Sequence, residues 1–234
     1  MTTAQVPHTA RAMARAAIAE AILDSARRQL GEVGPAALSL RAVARDVGMV
    51  SSAVYRYVAS RDELLTELII AAYDELGAAV EAAEDAVPAA GLEGRWLAMS
   101  TAVRQWALAH PHDWALLYGT PVPGYAAPER TVGPATRVVL RLMRILVDAQ
   151  EEGVRANASE VDDRLHHGIA GLRAFVPGPV DDALLVRGIG AWATLVGVIS
   201  LELFGHLVNG VDDHEAHFAH VARTLAGDLG IAGS

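Results

Sequence analysis

The chain has 234 residues, of which 52% are hydrophobic, 20% charged and 5% aromatic. This length and apolar fraction suit one or two globular domains, and they exclude a disordered or a fibrous protein. The sequence contains no cysteine, which excludes a disulfide-stapled scaffold, a thiolate metal site and a cysteine nucleophile.

The charged residues are divided unevenly along the chain. All 19 basic residues are arginines, and the formal net charge of the whole chain is −9. Residues 1–61 contain eight arginines and four acidic residues, a net charge of +4, whereas residues 62–234 contain eleven arginines and 24 acidic residues, a net charge of −13. This asymmetry predicts an anionic partner for the N-terminal segment alone.

The sequence predicts an all-α protein. Ala, Leu, Arg and Glu dominate long stretches, and no alternating run of Val, Ile and Thr indicates a strand. The predicted helices cover about residues 12–32, 40–47, 51–58, 62–85, 92–109, 112–118, 133–152, 159–175, 181–208 and 213–229. The longest uncharged apolar run, residues 188–201, is shorter than the roughly 20 residues of a membrane span. We therefore predict a cytoplasmic protein without a membrane segment.

Two short predicted helices, residues 40–47 and 51–58, lie in the basic segment and are joined by a glycine. Val50, Val54 and Val58 repeat every four residues, so we expect them to face inward from the second helix. Two short helices around a tight turn, in the only basic part of a chain, are typical of a helix-turn-helix DNA-binding domain. Such a domain places its second helix in the major groove.

Capping residues mark where two of these helices begin. We expect the Ser39 hydroxyl to cap the helix at 40–47. Ser60 and Glu63 form a predicted capping box, in which the Ser60 hydroxyl accepts the Glu63 amide proton and the Glu63 carboxylate reaches back. The capping box predicts that the fourth helix begins directly beside the helix-turn-helix unit.

The segments GMVSSAVYRYV (48–58) and SRDELL (60–65) resemble the TetR family of bacterial transcription regulators. The resemblance covers about residues 12–70, here called the head, and implies a three-helix, helix-turn-helix DNA-binding domain that binds double-stranded operator DNA as a homodimer. Val50 departs from the family pattern, in which many members have a small polar residue. The residues that the resemblance places at the DNA interface are Ser39, Arg41, Ser51, Ser52, Ala53, Tyr55, Arg56, Tyr57, Ser60 and Arg61.

These residues have different implied roles. The resemblance places Arg41 where it reaches a base edge, and its guanidinium can bind guanine O6 and N7. It places Tyr55, Tyr57 and Arg61 at phosphates. The side chains at the start of the recognition helix are short, so specificity relies on Arg41, on thymine methyl groups and on DNA shape. The alternatives are that Tyr57 is a packing residue between helices and that Arg41 is an ordinary solvated charge.

Residues 88–230, here called the body, form a second predicted domain, which the helix at 62–85 links to the head. HPHDWALLYG (110–119), with Trp192 and Gly197, resembles a class of regulator C-terminal domains named for a Trp-His-Gly motif, although Val196 stands in the place of the histidine. The resemblance implies that the body binds a small ligand and forms the dimer.

An apolar pocket in the body is the predicted ligand site, because aromatic and apolar residues there share helix faces. We expect a hydrophobic or amphipathic small molecule; the alternative is that these side chains only form the core. The predicted lining residues are Trp96, Met99, Val103, Trp106, Trp114, Leu117, Tyr118, Tyr125, Met143 and Phe175.

The last two long helices are the predicted dimer interface. Small residues spaced four apart allow close helix approach, and a helix-turn-helix reader usually requires two heads; the alternative is that the glycines only ease packing within one subunit. The predicted interface residues are Gly190, Ala193, Gly197, Ile199 and Leu203, and Leu195 lies on the same predicted face.

The sequence therefore predicts a dimeric, ligand-responsive repressor of a palindromic operator. An activator, a corepressor-dependent repressor, or a regulator whose body only dimerises remains an alternative. No nucleophile elbow, phosphate loop or HExxH motif indicates an enzyme. His214, His217 and His220 step by three residues, but we interpret them as a partly solvated helix face and predict no metal and no cofactor.

Overall fold

The structure is a computed structural model that describes residues 10–88, 91–155 and 161–233. Within these ranges every regular element is a helix, which confirms the predicted all-α class. The helices, in chain order, are α1 (Ala10–Val33), α2 (Leu40–Asp46), α3 (Ser51–Val54), α4 (Arg61–Asp85), α5 (Leu92–Ala109), α6 (Pro111–Tyr118), α7 (Val132–Glu151), α8 (Asp163–Gly168), α9 (Ala170–Arg173), α10 (Asp182–Leu203) and α11 (His214–Leu229), with 3₁₀ turns at Pro35–Ala37 and Glu129–Thr131.

Two groups of buried apolar side chains divide the chain within α4. The first group runs from Ile22 to Leu68 and forms the core of the head. The second runs from Ala72 to Ile231 and forms the core of the body. Because α4 contributes to both cores, a displacement of α4 in the body is carried to the head by one continuous helix.

The helix caps differ in part from the prediction. The Ser60 hydroxyl accepts a hydrogen bond from the Glu63 amide at 3.0 Å, as predicted, but the Glu63 carboxylate accepts one from Arg130 at 2.7 Å. The prediction of a Ser39 side-chain cap on α2 is wrong. The Ser39 amide instead donates to the Gln29 side-chain oxygen at 3.2 Å, because α1 passes close to the start of α2.

Two helices in the second half of the body are shorter than predicted. α10 ends before residue 204, because Gly205 adopts a left-handed backbone (φ 76°) and its amide donates to the Glu202 carbonyl at 3.2 Å. The predicted helix at 159–175 is replaced by two short helices, α8 and α9, and its first two residues lie outside the described residues. Asp162 begins α8 by accepting a hydrogen bond from the Leu165 amide at 2.7 Å.

A series of ion pairs ties α4 to the segment that contains the second 3₁₀ turn and α7. The pairs, in order along α4, are Arg130 with Glu63 and Glu67, both at 2.7 Å, Arg137 with Asp74 at 2.9 Å and Glu81 at 2.8 Å, and Arg141 with Asp85 at 2.8 Å. Gly77 makes room for them, since a Cβ atom there would lie 2.7 Å from Arg137 Nε. We call this series the α4 ladder.

A buried charge cluster joins α4, α5 and α7 in the body. Arg95 is 8% exposed and Glu84 is 4% exposed. Arg95 donates to Glu84 Oε1 through Nε at 3.0 Å and through Nη2 at 2.8 Å, and to Asp148 at 2.5 Å. A buried guanidinium requires such partners, because an unpaired buried charge is strongly destabilising.

Candidate DNA interface and ligand site

A glycine turn sets the angle between α2 and α3. Gly48 has a φ of 67°, which is in the left-handed region that glycine adopts without a steric penalty. The Met49 amide then donates to the Ala44 carbonyl at 2.8 Å, and α3 begins two residues later. The turn brings Val54 and Val58, which are 0% and 5% exposed, into the core of the head.

The prediction that Val50 faces inward is wrong, because its side chain is 72% exposed. Val50 precedes α3 and has an extended backbone (φ −69°, ψ 142°). The four-residue repeat that relates Val54 to Val58 therefore does not extend to Val50, since that repeat requires a helical backbone.

Half of the predicted DNA-binding residues surround one groove. The groove has a volume of about 380 Å³ and lies between the start of α2, the end of α3 and the start of α4. The predicted residues that line it are Ser39, Arg41, Tyr55, Ser60 and Arg61. Arg41 is exposed, and within the described ranges no carboxylate pairs with it. A groove with hydroxyl groups and a free guanidinium has the chemistry that binds phosphate oxygens.

Arg61 has structural partners inside the head. Its Nη2 donates to the carbonyl oxygens of Pro35 and Ala36 at 2.8 and 3.2 Å, and its Nη1 lies 3.4 Å from an Asp62 carboxylate oxygen. These contacts tie the start of α4 to the first 3₁₀ turn. The sequence had indicated only a phosphate contact for Arg61, because carbonyl partners 25 residues away leave no local pattern.

The two tyrosines of the recognition segment differ in exposure. Tyr55 is 48% exposed, whereas Tyr57 is half-buried and packs against the core of the head. The Arg15 guanidinium lies 5.2 Å from the centroid of the Tyr57 ring, a distance typical of a cation–π contact. The packing alternative for Tyr57 therefore has direct support.

The remaining predicted interface residues lie in or directly after α3. Ser52 and Arg56 are exposed, and Ser51 and Ala53 are half-buried. Together with Val50 and Tyr55 they are the residues of segment 50–56 that surround the buried Val54. We call this set of six residues the reading surface.

Two family models match the chain in its two halves. Residues 22–68 match the model of bacterial regulatory proteins of the tetR family, and residues 96–225 match the model of the tetracyclin repressor-like C-terminal domain. The chain belongs to the TetR family. The first match includes α2, the glycine turn and α3, so the head of this TetR-family protein is its DNA-binding domain.

Relatives agree with this assignment. The HTH-type transcriptional regulator Rv1816 of Mycobacterium tuberculosis is 45% identical over 194 residues, which are 82% of this chain and 83% of that protein. The crystal structure of SCO4313 has a TM-score of 0.76 at 34% identity and covers 94% of this chain and 100% of that one. The TetR-family regulator PfmR from Thermus thermophilus shares the fold, with a TM-score of 0.59 at 20% identity and coverage of 87% and 96%. The chain is a transcriptional regulator and not an enzyme.

The structure brings most of the predicted pocket residues together but separates two of them. Trp96, Met99, Val103, Trp106, Trp114 and Met143 are each at most 6% exposed and pack in the core of the body, and Leu117 and Tyr118 are half-buried against them. Tyr125 instead packs against the core of the head, and its hydroxyl lies 2.9 Å from Thr66 Oγ1. Phe175 is 43% exposed. Tyr125 and Phe175 both lie after the end of a helix, where helical spacing no longer predicts which way a side chain points.

Tyr118 stands at the centre of a four-ring cluster in the body. Its ring centroid lies 4.4 Å from that of Trp114, 6.1 Å from that of Trp192 and 6.3 Å from that of Tyr73. Burial raises the pKa values of the Tyr118 and Tyr73 hydroxyls, so both remain neutral phenols. The rings come from α4, α6 and α10, and we call them the aromatic cluster.

The predicted pocket included neither Tyr73 nor Trp192. Tyr73 lies on α4 among other apolar residues at helical spacing, so its sequence context resembles ordinary core. The aromatic side chains of α6 and α10 are visible in the sequence, but whether their rings meet that of Tyr73 depends on how α4, α6 and α10 pack. Sequence spacing within one helix cannot supply that information.

α10 has one buried face and one exposed face. It is the one described helix that is long and apolar enough to cross a membrane, with a mean hydropathy of 1.8, yet only 33% of that apolar window is buried. The exposed residues are Gly190, Ala193, Thr194 and Leu201 of α10 and Phe204 directly after it, with the half-buried Gly197 among them. We call this set the α10 stripe.

Three apolar residues of the predicted dimer face, Leu195, Ile199 and Leu203, lie on the other side of α10. Ile199 and Leu195 are both 0% exposed and pack in the core of their own subunit, and Leu203 is half-buried against the same core. At about 100° per residue, Ile199 is nearly opposite Gly190. The prediction that Ile199 and Leu203 belong to the dimer interface is therefore wrong. Gly190, Ala193 and Gly197 remain on an uncovered surface.

The head and the body meet where α1 packs against α4 and α6. Arg27 forms an ion pair with Glu75 of α4. Asp113 of α6 is 6% exposed, and burial raises its pKa although the positive charge of Arg27 opposes that change. The His112 ring lies against Gly31, where a Cβ atom would be 2.9 Å from the ring. This junction is therefore close-packed and charged.

Proposed function

We propose that the protein is a dimeric repressor that binds a palindromic operator and releases it when a hydrophobic small molecule enters the body. The observation that carries the DNA-binding part is the groove beside the reading surface, where hydroxyl groups and the unpaired Arg41 guanidinium converge. In a dimer, two recognition helices enter successive major grooves about 34–36 Å apart. A two-fold axis between the heads makes the operator palindromic.

The α10 stripe supports dimerisation. Its small residues permit close approach of a second helix, and Leu201 and Phe204 are 43% and 45% exposed. A C₂ interface uses the same patch on both subunits, so in this dimer the α10 stripe would pack against its own copy. The proposal also places the protein in the cytoplasm, where a DNA-binding regulator acts.

A single substitution tests the dimer without disturbing the subunit. A Cβ atom at Gly197 meets no heavy atom within 4 Å, and the same holds at Gly133 on α7. Gly197→Arg should therefore fold but produce a monomer in light scattering at micromolar concentration, whereas Gly133→Arg should remain dimeric. A monomeric wild-type protein, or a dimeric Gly197→Arg variant, would contradict the proposed interface.

The aromatic cluster supports the ligand-responsive part. Tyr118 contacts rings from α4, which carries the head, and from α10, which carries the proposed dimer stripe. An apolar ligand that displaces the Tyr118 ring changes the packing of both helices at once. Ligand binding would then alter head separation, with a coupling free energy of about 1–3 kcal/mol.

Operator binding in the presence of apolar probes tests this part. Operator DNA is first selected from a random pool, and its affinity is measured with and without decanoate or anilinonaphthalene sulfonate. We expect at least one probe to raise both the melting temperature and the operator Kd of the wild type, and Tyr118→Ala to weaken the two responses together. If every probe leaves both quantities unchanged, the body only dimerises, as in the alternative predicted from the sequence.

A further inference from the structure

An apolar side chain stands uncovered on the reading surface. Val50 is 72% exposed, which makes it the most exposed large hydrophobic residue in the described part of the chain. Its position is well defined, because the Val50 carbonyl accepts a hydrogen bond from the Ala53 amide at 2.9 Å. The side chain is branched at Cβ and therefore has few rotamers, so its two methyl groups are held in a fixed direction.

Val50 shares its surface with residues that point away from the core of the head. Ser52 and Arg56 are exposed, and Tyr55 is 48% exposed, whereas Val54 is fully buried. The groove that contains Arg41 borders the same surface at Tyr55. Val50 therefore belongs to the face that the helix-turn-helix unit presents to DNA.

The chemistry of base edges identifies what such a side chain contacts. In the major groove the bases present hydrogen-bond donors and acceptors, and the single apolar group is the 5-methyl of thymine. Ser51, Ser52 and Ala53 are too short to reach many base edges, so an apolar contact at the preceding position adds discrimination. We propose that Val50 recognises a thymine in each half-site through its 5-methyl group, an inference that rests on DNA binding by the head.

Deoxyuridine substitution isolates this contact, because it removes the methyl group and leaves the hydrogen-bonding edge of the base intact. An operator is selected from a random DNA pool with the full-length protein, and each half-site thymine is replaced in turn by deoxyuridine. The loss of one buried methyl group should weaken wild-type binding by about fourfold per half-site, at one thymine position. Val50→Ala should bind the thymine and deoxyuridine operators with nearly equal affinity.

A matched valine controls for general effects of the substitution. Val33 is 52% exposed and also lies in the head, but at the end of α1. Val33→Ala should retain the full effect of deoxyuridine, and Val50→Thr, which keeps one methyl group, should retain part of it. Both variants remove little packing, so their melting temperatures should match that of the wild type.

The outcomes separate this inference from the proposed function. If the wild type binds its operator but no deoxyuridine position weakens binding, or if Val50→Ala shows the same loss as the wild type, the thymine contact is refuted and the repressor remains. An operator with no thymine in its half-sites refutes it too. If the wild type selects no DNA at all, operator binding and the thymine contact both fail.

Discussion

Arg41 and Arg56 in the head are exposed and have no carboxylate partner within the described residues, whereas several arginines of the body bind carboxylates. Arg104, for example, donates to both carboxylate oxygens of Glu202 at 2.9 and 2.7 Å, and Arg95 lies between Glu84 and Asp148. The chain contains no lysine, so one residue type has two roles. Arg95 and Arg104 are structural connectors in the body, whereas Arg41 and Arg56 in the head remain available for phosphates and base edges.

This contrast explains how an acidic protein binds DNA. The net charge of −13 for residues 62–234 already counts their arginines, several of which are held in internal pairs such as the α4 ladder. The +4 charge of residues 1–61 includes Arg41 and Arg56, which have no carboxylate partner among the described residues. DNA phosphates therefore attract only the head, and they repel the body because of its net negative charge. The distribution of pairs, more than the net charge, indicates which surface faces DNA.

The largest effect should come from breaking the buried pair of the body. Arg95→Met removes both hydrogen bonds to Glu84 Oε1, so a carboxylate that is 4% exposed keeps, among the described residues, only the Arg141 guanidinium, 3.5 Å from its Oε2. We expect the free energy of unfolding to fall by about 3–5 kcal/mol, measured by urea denaturation. Arg144→Met, at an exposed position of α7, should change it by less than about 0.5 kcal/mol. Similar losses in both variants would contradict the role assigned to burial.

Arg41, which has no carboxylate partner among the described residues, should affect DNA binding and leave stability unchanged. Arg41→Ala should weaken operator binding by about 1–3 kcal/mol and relax sequence preference at one position, as measured by fluorescence anisotropy on selected and variant operators. Arg223→Ala on α11, which is also exposed, is the control for net charge. Equal affinities for the two variants would show that Arg41 is an ordinary solvated charge.

Arg61 belongs to the head, but its guanidinium has structural partners, as several arginines of the body do. It therefore tests whether every arginine of the head serves DNA binding. Arg61→Ala loses the hydrogen bonds to the Pro35 and Ala36 carbonyls and should lower the free energy of unfolding by about 1–2 kcal/mol. The salt dependence of operator binding should stay close to that of the wild type. An unchanged stability with a salt slope reduced by about one would identify Arg61 as a phosphate contact instead.

The smallest effect concerns the junction, where a carboxylate lies buried between head and body. Because the pKa of Asp113 is raised in the folded state, its ionisation costs stability once the pH exceeds that pKa, and the cost disappears as the pH falls towards the unfolded value of about 4. Asp113→Asn should raise the melting temperature by about 2–4 °C at pH 7, and by less at pH 4. The opposite pH trend in thermal denaturation would mean that Arg27 stabilises the charged form.

The sequence was sufficient for most of the helices and for the helix-turn-helix unit, because helical periodicity and the Ser60 cap are local signals. The sequence did not predict the direction of side chains whose backbone lies outside a helix. Val50 lies one residue before α3, and Tyr125 lies in the connection between α6 and α7, so neither obeys the period that placed its neighbours. Ile199 shows a different limit, since a helix with two apolar faces does not reveal which face the subunit itself covers.

For the candidate site too, residues in local patterns could be predicted from the sequence, and contacts between distant helices could not. The residues of the groove were identified because the resemblance fixes their positions around the glycine turn. The convergence of Tyr73, Tyr118 and Trp192 was not, because it arises from the packing of three helices that are distant in sequence. The partners of Arg61 were also hidden, since carbonyl oxygens carry no side-chain signature.

The α10 stripe has a consequence for the life of the protein in the cell. In the proposed dimer, a subunit with this exposed stripe on α10 would complete its folding by association, so its melting temperature should rise with its own concentration. Newly made chains at low abundance would then be the first targets of proteases, while assembled pairs persist. Through this one helix face, the proposed dimer would link the amount of regulator to the lifetime of each molecule.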